Sequence, residues 1–597
     1  MANYKAPLRD IQFVRNELLE LGPFYTSTER WSEVSDDLVN AITGEAAKFS
    51  ENTLAPLNSI GDEQGCSLKE GKVTTPEGFK EAYQQFVAGG WPSLEGPAEF
   101  GGQALPKSLA LAVTEMIGSA NWAWGMYTGL SQGACHTINE HGTAEQKERY
   151  LHKLVAGEWT GTMCLTESHC GSDLGLLRCK AEPNTDGSYH ISGTKIFISS
   201  GEHDLADNII HIVLARLPDA PAGTKGISLF IVPKFKVNED GSIGERNQVS
   251  CGALEHKMGI HGNATCVMNF DGATGYLLGP ENRGLNCMFT FMNVARVGTA
   301  IQGLAHAELA YQNSLAYATD RLQMRALSGP VAPDKPADPI IVHPDVRRML
   351  LTQKAFAEGG RMMIYQLSQI IDLLDITEPG DTKQGYEDLL SMLTPIAKAF
   401  MTETGFEAAN HGMQIFGGHG YIREWGMEQN VRDSRISMLY EGTTGIQALD
   451  LLGRKVMLSR GELLKTVIVP IHQFCKENSG DKALAEFIQP LQVLLGEWSK
   501  LTEQLGAKAM GNPDEINAAC VDYLMYSGYV YYAYLFAKAA KISQAQLAEN
   551  TDEQAFYQAK VYLAQFYYQR LLPRTATLAT TMLSGVENLL NAKVNPF

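Results

Sequence analysis

One carboxylate in this chain, Glu441, lies in a glycine-rich stretch directly before an apolar run. The stretch reads Tyr440-Glu441-Gly442-Thr443-Thr444-Gly445, and the apolar run follows at residues 446–452. An acidic residue in this place either caps a helix or acts as a base, because burial between apolar elements favours proton uptake by a carboxylate. Taken alone, the stretch favours the helix cap, since acids are common in first helical turns.

Two further segments have residue types that suit the binding of a flat ring or a phosphate. Residues 163–173 combine hydroxyls, small side chains and a glycine, so that backbone N–H groups could approach a ligand closely, although a plain turn has the same composition. Residues 413–421 contain a glycine pair that could present N–H groups to a pyrophosphate. The chain has no GxGxxG motif, so a Rossmann cofactor site is not expected.

We expect no metal site. His169 and Cys170 are adjacent, and neighbouring residues rarely bind one ion together. The other histidines have no partner at the spacing that metal ligands require, so we interpret them as hydrogen-bonded structural residues.

Composition limits the classes of partner and the compartment. The formal net charge of −18 argues against nucleic acid as the main partner, because phosphate binding needs a basic face. The ten cysteines are scattered without a CxxC pair, as is typical of reduced thiols. The first residues lack the apolar core of a signal peptide, and no apolar stretch is long enough to span a membrane. We therefore expect a cytoplasmic protein without a transmembrane segment.

Hydrophobic periodicity divides the chain into four expected domains. Helical spacing predicts an N-terminal helical domain over 1–160, and short β-branched segments separated by turn residues predict a middle β-barrel domain over 161–282. Helical spacing then predicts a C-terminal four-helix-bundle domain over 283–465 and an extra helical domain over 466–597. The expected fold is α+β and multidomain. An aromatic-rich segment at 523–536 is interpreted as core packing.

Taken together, the motifs resemble those of the acyl-CoA dehydrogenases in type, order and spacing over roughly residues 40–465. Residues 166–173 are similar to the family's T-E-P-x-A-G-S-D flavin loop, with Ser168 for Pro and Cys170 for Ala. Residues 195–200 are similar to K-x-W-I-[ST]-N, with Phe197 for Trp. The remaining matches are Asp320–Arg325 to D-R-x-Q-F-G, residues 414–420 to Q-[VI]-x-G-G-x-G, Arg432-Asp433, and residues 440–443.

The extra C-terminal helices resemble those of a large-subunit bacterial subgroup. That subgroup includes fatty-acyl-CoA dehydrogenases and 3-methylmercaptopropionyl-CoA dehydrogenases. The resemblance implies that FAD binds between domains and across the contact of a homodimer.

The resemblance also implies roles for individual residues in cofactor binding. Thr166 and Ser199 would bind the flavin ring, Phe197 would pack on it, and Ser172 would contact the pyrophosphate or pantetheine. Arg321 and Gln323 would reach the FAD of the neighbouring subunit. Gln414, Gly417 and Gly418, which we call the glycine turn, would do the same. Gly445 stands where many smaller relatives have Gln. The full implied cofactor set is Leu165, Thr166, Ser172, Phe197, Ile198, Ser199, Arg321, Gln323, Gln414, Gly417, Gly418, Thr443 and Gly445.

The implied reaction is α,β-dehydrogenation of an acyl-CoA to the trans-2-enoyl-CoA in fatty acid β-oxidation. Glu441 would take the α-proton, N5 of FAD would accept the hydride, and the Glu441 N–H would polarise the thioester carbonyl. The electrons would pass to an electron-transfer flavoprotein. The implied substrate-binding residues are Ser172, Asn293, Arg296, Tyr440, Glu441 and Gly442.

The identity of the acyl chain is less determined. A medium or long straight chain is expected if small residues of one helix leave room for it, namely Gly125, Gly129, Gly133 and Ala134; the same residues could instead allow close helix contacts. A 3-methylmercaptopropionyl-CoA dehydrogenase and an acyl-CoA oxidase remain alternatives. A DNA-binding flavoprotein of the same fold is a further alternative, against which the net charge argues. A non-catalytic scaffold would not require Glu441 and the flavin loops.

Overall fold

The computed structural model describes residues 3–591, which form two compact units. The first unit comprises residues 3–6 and 37–298, and the second comprises residues 7–36 and 299–591. Within residues 3–591, no helix is both long enough and apolar enough to cross a membrane.

Helices account for most of the second unit and for much of the first. They are α1 (Leu8–Gln12), α2 (Leu21–Thr26), α3 (Asp36–Phe49), α4 (Ala55–Gln64), α5 (Phe79–Ala88), α6 (Lys107–Ala120), α7 (Trp122–His141), α8 (Ala144–Val155), α9 (Gly284–Asp320), α10 (Pro344–Ile376), α11 (Asp381–Phe416), α12 (Met427–Arg435), α13 (Thr444–Leu449), α14 (Glu462–Glu477), α15 (Ala485–Gly511), α16 (Asp514–Ala548), α17 (Gln554–Phe566) and α18 (Arg574–Met582).

Among residues 3–591, the strands all lie in the first unit. They are β1 (Ser67–Lys69), β2 (Lys72–Thr74), β3 (Trp159–Cys164), β4 (Lys180–Pro183), β5 (Tyr189–Ser199), β6 (Asn208–Ala215), β7 (Ser228–Pro233), β8 (Phe235–Val237), β9 (Ile243–Arg246), β10 (Val249–Leu254) and β11 (Thr265–Leu277). The expected order of helical, β and helical regions is confirmed.

The main sheet has both faces covered. Its strand order is β3-β6-β7-β11-β5-β4, with β10 also paired to β11, and only β3 and β6 run parallel among the described pairs. Every residue of β6 is buried, and successive side chains point to opposite faces. Ile210, Ile212 and Leu214 pack with side chains of α7 and α8, whereas Val213 and Ala215 belong to the hydrophobic core of the β region.

Turn residues mark the hairpins of the first unit. Residues 184–188 connect β4 to β5, as their composition predicts, and the Asn184 N–H donates to the Ser188 carbonyl over 2.8 Å. The hairpin formed by β1 and β2 was not predicted from the sequence. Its turn contains Glu70 and Gly71 at positive φ, and the strands of three residues are too short to show a clear alternation.

Glycines bring long helices of the second unit close together. A Cβ on Gly303 of α9 would lie 2.1 Å from the Met401 carbonyl oxygen, and one on Gly405 of α11 would lie 2.4 Å from the Gly303 carbonyl oxygen. α11 therefore packs tightly against α9, and it also contacts α10 and α16.

The aromatic segment of α16 is part of the core, as expected: Tyr523 and Tyr526, for example, are buried.

We predict that Gly405→Ala destabilises the protein by about 1–3 kcal/mol, because the added methyl group overpacks the contact between α9 and α11. Gly385→Ala on the same helix is the control, since a Cβ there meets nothing within 4 Å. Thermal unfolding of the two purified variants checks the difference. Equal melting temperatures for the two variants would contradict the tight contact.

Candidate active site

The loop after β3 is anchored to β5 by a buried lysine. The Lys195 ammonium donates to the Leu165 carbonyl over 3.0 Å and to the Glu167 carboxylate over 2.9 Å. The Ile196 N–H donates to the Thr166 carbonyl over 2.9 Å. These bonds hold Leu165, Thr166 and Glu167 beside the strand that carries Phe197 and Ser199.

Glu167 is a structural anion in this loop. Its carboxylate also accepts the N–H groups of Arg178, over 2.8 Å, and Cys179, over 3.0 Å. Burial alone would raise the pKa of the Glu167 carboxyl, but the Lys195 ammonium and these N–H groups hold that pKa below its ordinary value. The loop is therefore stabilised by a charged carboxylate at neutral pH.

A β-bulge turns Phe197 outward. Cys266 of β11 pairs with Ile198 and Met268 pairs with Lys195, so two residues of β5 lie opposite Val267 alone. Phe197 takes a φ of +59° in this bulge, and 59% of its surface is exposed. Bulges re-aim side chains at functional sites, and this one exposes an aromatic face beside Thr166 and Ser199.

The other predicted residues of this loop and strand differ in accessibility. Thr166 and Ser199 are half-buried, and their hydroxyls have no hydrogen-bond partner within residues 3–591. Ile198 lies in the hydrophobic core, so only its backbone could face a ligand. Leu165 packs against the core and Ser172 is exposed. The sheet thus presents an aromatic ring and two available hydroxyls along one short stretch.

Glu167, His169 and Cys170 form a cluster that the sequence analysis did not identify. Their potential ligand atoms lie within 4.8 Å of one another. Both Glu167 oxygens already accept hydrogen bonds, and a ring nitrogen of His169 bonds to the Leu176 carbonyl over 3.0 Å. These bonds explain the cluster as part of the loop structure.

Two predicted substrate residues lie on α9 within the first unit. Asn293 is exposed, and Arg296 is buried with its guanidinium 5.8 Å from the centre of the Phe289 ring. This guanidinium is the one basic group among the substrate-binding residues that the family resemblance implies.

Glu441 is not a helix cap. Thr443 caps α13, because its side chain accepts the Ile446 N–H over 3.2 Å. Glu441 precedes the cap by two residues, is half-buried and has a φ of +55°. The helix-cap interpretation of Glu441 is therefore wrong, because the threonine hydroxyl takes that role.

Neighbouring side chains hold the backbone on both sides of Glu441. The Tyr440 hydroxyl donates to the Gln302 side chain, and the Gln447 amide donates to the Glu441 carbonyl over 3.1 Å. The Lys398 ammonium donates to the Gly442 carbonyl over 2.6 Å. Gln302, Lys398 and Gln447 were not predicted from the sequence. Lys398 had a signal, since it stands alone among the apolar residues 395–400 of α11.

Most of the other predicted residues of the second unit lie near the C-terminal end of α11. Tyr317 near the end of α9 stacks on Phe416 at 4.0 Å and bonds to His419 over 2.9 Å. This contact brings the segment that begins at Arg321 next to the glycine turn. Exposed members of the predicted set in this unit are Arg321, Gln323, Gln414, Gly417, Gly418 and Gly445, whereas Thr443 is half-buried.

The chain matches four family models along its length. Those described as the N-terminal, middle and C-terminal domains of acyl-CoA dehydrogenase match residues 39–158, 162–273 and 282–457. A fourth, described as acetyl-CoA dehydrogenase C-terminal like, matches residues 467–593.

Relatives of known activity extend over the whole chain. A 3-methylmercaptopropionyl-CoA dehydrogenase from Ruegeria pomeroyi is 42% identical over 99% of this chain and 100% of its own length. The broad-specificity linear acyl-CoA dehydrogenase FadE5 of Mycobacterium tuberculosis is 33% identical over 99% of this chain and 98% of its own. The structure of an acyl-CoA dehydrogenase complexed with FAD from Bacillus anthracis has a TM-score of 0.74 at 22% identity, with 92% of this chain and 88% of that chain covered.

We predict that Glu167→Gln destabilises the protein by about 3 kcal/mol at pH 7, because it leaves the Lys195 ammonium buried without its partner charge. A depressed carboxyl pKa stabilises the fold above the unfolded value, about 4.3, and this contribution is lost as pH falls through the folded value. The melting temperatures of wild type and Glu167→Gln should therefore converge as the pH falls below about 4.3 toward the lower folded pKa of Glu167.

Glu245→Gln is the control, because the ion pair of Glu245 with Lys236 is exposed on the same β region. We expect it to melt like the wild type at each pH. A wild-type melting temperature for Glu167→Gln at pH 7 would contradict the anchoring role of the buried pair.

Proposed function

This chain belongs to the acyl-CoA dehydrogenase family and is a FAD-dependent oxidoreductase; on that premise we propose that it converts an acyl-CoA thioester to the trans-2-enoyl-CoA with Glu441 as the base. The single observation that carries the assignment is the place of Glu441. It lies half-buried on a left-handed backbone, while Thr443 caps the following helix in its stead.

In the proposed mechanism Glu441 accepts the proton from the α-carbon of the thioester. A carboxylate enclosed by an apolar acyl chain is poorly solvated and so becomes a stronger base. Hydrogen bonds to the Glu441 and Gly442 carbonyls keep the loop in one conformation, which limits the orientations of the carboxylate. Arg296 would interact with the anionic CoA moiety.

The residues of the first unit fit FAD. Phe197 exposes an aromatic face on which a flat ring can stack, and the hydroxyls of Thr166 and Ser199 are available for its polar edge. Leu165 and Ile198 would contribute backbone groups, and Ser172 would contact the pyrophosphate or pantetheine. The chemistry supplied by bound FAD is acceptance of the hydride that leaves the β-carbon.

We also propose a homodimer in which the glycine turn serves the site of the partner. Gln414 lies about 24 Å along α11 from Lys398, which contacts the Glu441 loop, at roughly 1.5 Å of rise per residue. Arg321, Gln323, Gly417 and Gly418 lie at the distant end. This separation supports the assignment of that end to the FAD of a neighbouring subunit, while Thr443 and Gly445 would reach the adenine side.

We propose that the chain divides into domains at 160, 282 and 465, as its hydrophobic periodicity predicts, and the segments of the family models support this division. Those segments break near residues 160, 277 and 462.

The substrate we propose first is a short acyl-CoA, with 3-methylmercaptopropionyl-CoA as the leading candidate. The identity of 42% to a dehydrogenase named for that substrate supports it. Packing in the first unit supports it too: a Cβ on Gly133 would lie 2.3 Å from the Phe291 ring, and one on Gly161 would lie 2.3 Å from the Ala134 Cβ. Gly133 and Ala134 thus pack closely against neighbouring residues and do not leave open space for an acyl chain.

A straight acyl chain of medium or greater length remains a second candidate. Gly129 has open space around the position of a Cβ, and the 33% identity to a broad-specificity linear acyl-CoA dehydrogenase supports such a substrate. For either substrate we propose an electron-transfer flavoprotein as the acceptor. Peroxide formation without an added acceptor would identify an oxidase instead.

We predict that Glu441→Gln retains FAD and binds acyl-CoA but lowers kcat by about 100- to 10,000-fold, because the base is lost while the shape is kept. Flavin absorbance, acyl-CoA binding and turnover with an artificial acceptor measure the three properties. Glu462→Gln, at an exposed position of α14, is the control and should turn over like the wild type. Comparable turnover in Glu441→Gln would reject Glu441 as the base.

We predict that kcat/KM is highest for 3-methylmercaptopropionyl-CoA and butyryl-CoA and falls by roughly tenfold or more for palmitoyl-CoA, since closely packed small residues cannot admit further methylenes. Steady-state kinetics over a series of saturated acyl-CoAs checks this order. A maximum at a long chain would favour the second candidate. Gly129→Val should then reduce kcat/KM for the long chain more than for butyryl-CoA.

A further inference from the structure

The loop that carries Glu441 has two consecutive residues in the left-handed region. Glu441 has a φ of +55° and Gly442 a φ of +91°. Residues other than glycine rarely adopt such a φ, because their Cβ then lies too close to the backbone carbonyl oxygen. A non-glycine residue keeps this conformation only where surrounding contacts over-determine it.

Two buried side chains from different helices supply those contacts. Gln447 of α13 donates its amide to the Glu441 carbonyl over 3.1 Å, and Lys398 of α11 donates its ammonium to the Gly442 carbonyl over 2.6 Å. Both residues have no exposed surface. Because each carbonyl belongs to a different peptide plane, the pair of bonds fixes the orientation of two consecutive peptide planes.

The surroundings leave the loop little freedom to change. A Cβ on Gly442 would lie 2.3 Å from the Gln447 amide nitrogen, so the amide packs directly against the glycine. Downstream, the Thr444 hydroxyl donates to the Glu403 carboxylate over 2.6 Å. Upstream, the Tyr440 hydroxyl donates to Gln302. The loop is therefore held on both sides of Gly442 as well as at its two carbonyls.

The lysine is a costly choice for this position. Its neighbours on α11, Ile396, Ala397, Ala399 and Phe400, are all buried, and burial of an ammonium is unfavourable unless it is well bonded. A charged donor makes a stronger hydrogen bond to a carbonyl than a neutral donor does. The positive charge of the Lys398 ammonium, in a region with little water, also stabilises a negatively charged group close to it.

We propose that Lys398 is a positioning residue for proton abstraction: with Gln447, it holds the left-handed loop in the conformation from which the Glu441 carboxylate reaches the α-carbon. This inference rests on the proposed function. Lys398 acts through the Gly442 carbonyl and needs no contact with the substrate. Misplacement of a base by about 1 Å can cost on the order of 100-fold in rate, so loss of this hold should affect the chemical step.

The test uses FAD-loaded enzyme and the acyl-CoA on which wild type is most active, in normal and α-deuterated forms, with an artificial electron acceptor. We expect Lys398→Met to lower kcat by roughly 10- to 100-fold while KM changes by less than about threefold. Its deuterium isotope effect on kcat should exceed that of wild type, because proton abstraction becomes more rate-limiting. Lys398→Arg, which keeps the charged donor, should recover at least part of kcat.

Lys354→Met is the matched control, because Lys354 is paired with Glu358 over 2.8 Å on α10 and makes no bond to the loop. We expect it to lower stability without a change in kcat or in the isotope effect. If Lys398→Met does not fold, Gln447→Leu takes its place, since it removes the other donor without removing a charge. A kcat and isotope effect equal to wild type in the folded variant would overturn the inference.

The failure of the proposed function gives a different result. If the wild-type enzyme oxidises none of the acyl-CoAs in the series, the proposed function itself is rejected. Active wild type together with inactive Glu441→Gln and fully active Lys398→Met would reject only the positioning role.

Discussion

A carboxylate on a left-handed backbone is the constraint around which the second unit is arranged. Glu441 adopts a φ of +55°, which an isolated chain would avoid. Hydrogen bonds from Lys398 and Gln447 stabilise the conformation, and each donor must itself be held in place by the helix that carries it. The accuracy of the site therefore depends on the packing of α11 and α13.

That dependence gives the C-terminal helices a structural task. Phe400, two residues after Lys398, packs into the space left by Gly528 of α16, where a Cβ would lie 2.3 Å from the ring. Farther along, Arg574 of α18 binds the Glu407 carboxylate with two nitrogens, at 2.7 and 2.8 Å. These contacts brace α11 from the side of the extra helices. Through α11 these contacts connect the C-terminal helices to the segment that carries Lys398.

The first unit uses the same device in a different setting. The buried pair of Lys195 and Glu167 holds the loop after β3 against β5, and the bulge in β5 exposes Phe197. In both units a buried lysine donates to a backbone carbonyl of a loop that carries proposed site residues. The cost of burying the charge is offset by hydrogen bonds that a neutral side chain would make less strongly.

The sequence by itself determined the local features. Short β-branched segments between turn residues predict β5, β6 and β7, a turn composition predicts the β4–β5 hairpin, and the order of the motifs predicts the family and FAD. These features depend on residues that are close in the chain or on the presence of residue types, so they can be read without a fold.

Only the tertiary structure decided what those residues contact. It showed that Thr443 and not Glu441 caps α13, and that Gly133 accommodates Phe291. It also brought Lys398 and Gln302, which are far from Glu441 in the sequence, to the loop. Such contacts depend on which helix faces meet. Periodicity indicates that a face is buried, but not which side chain or carbonyl will lie opposite it.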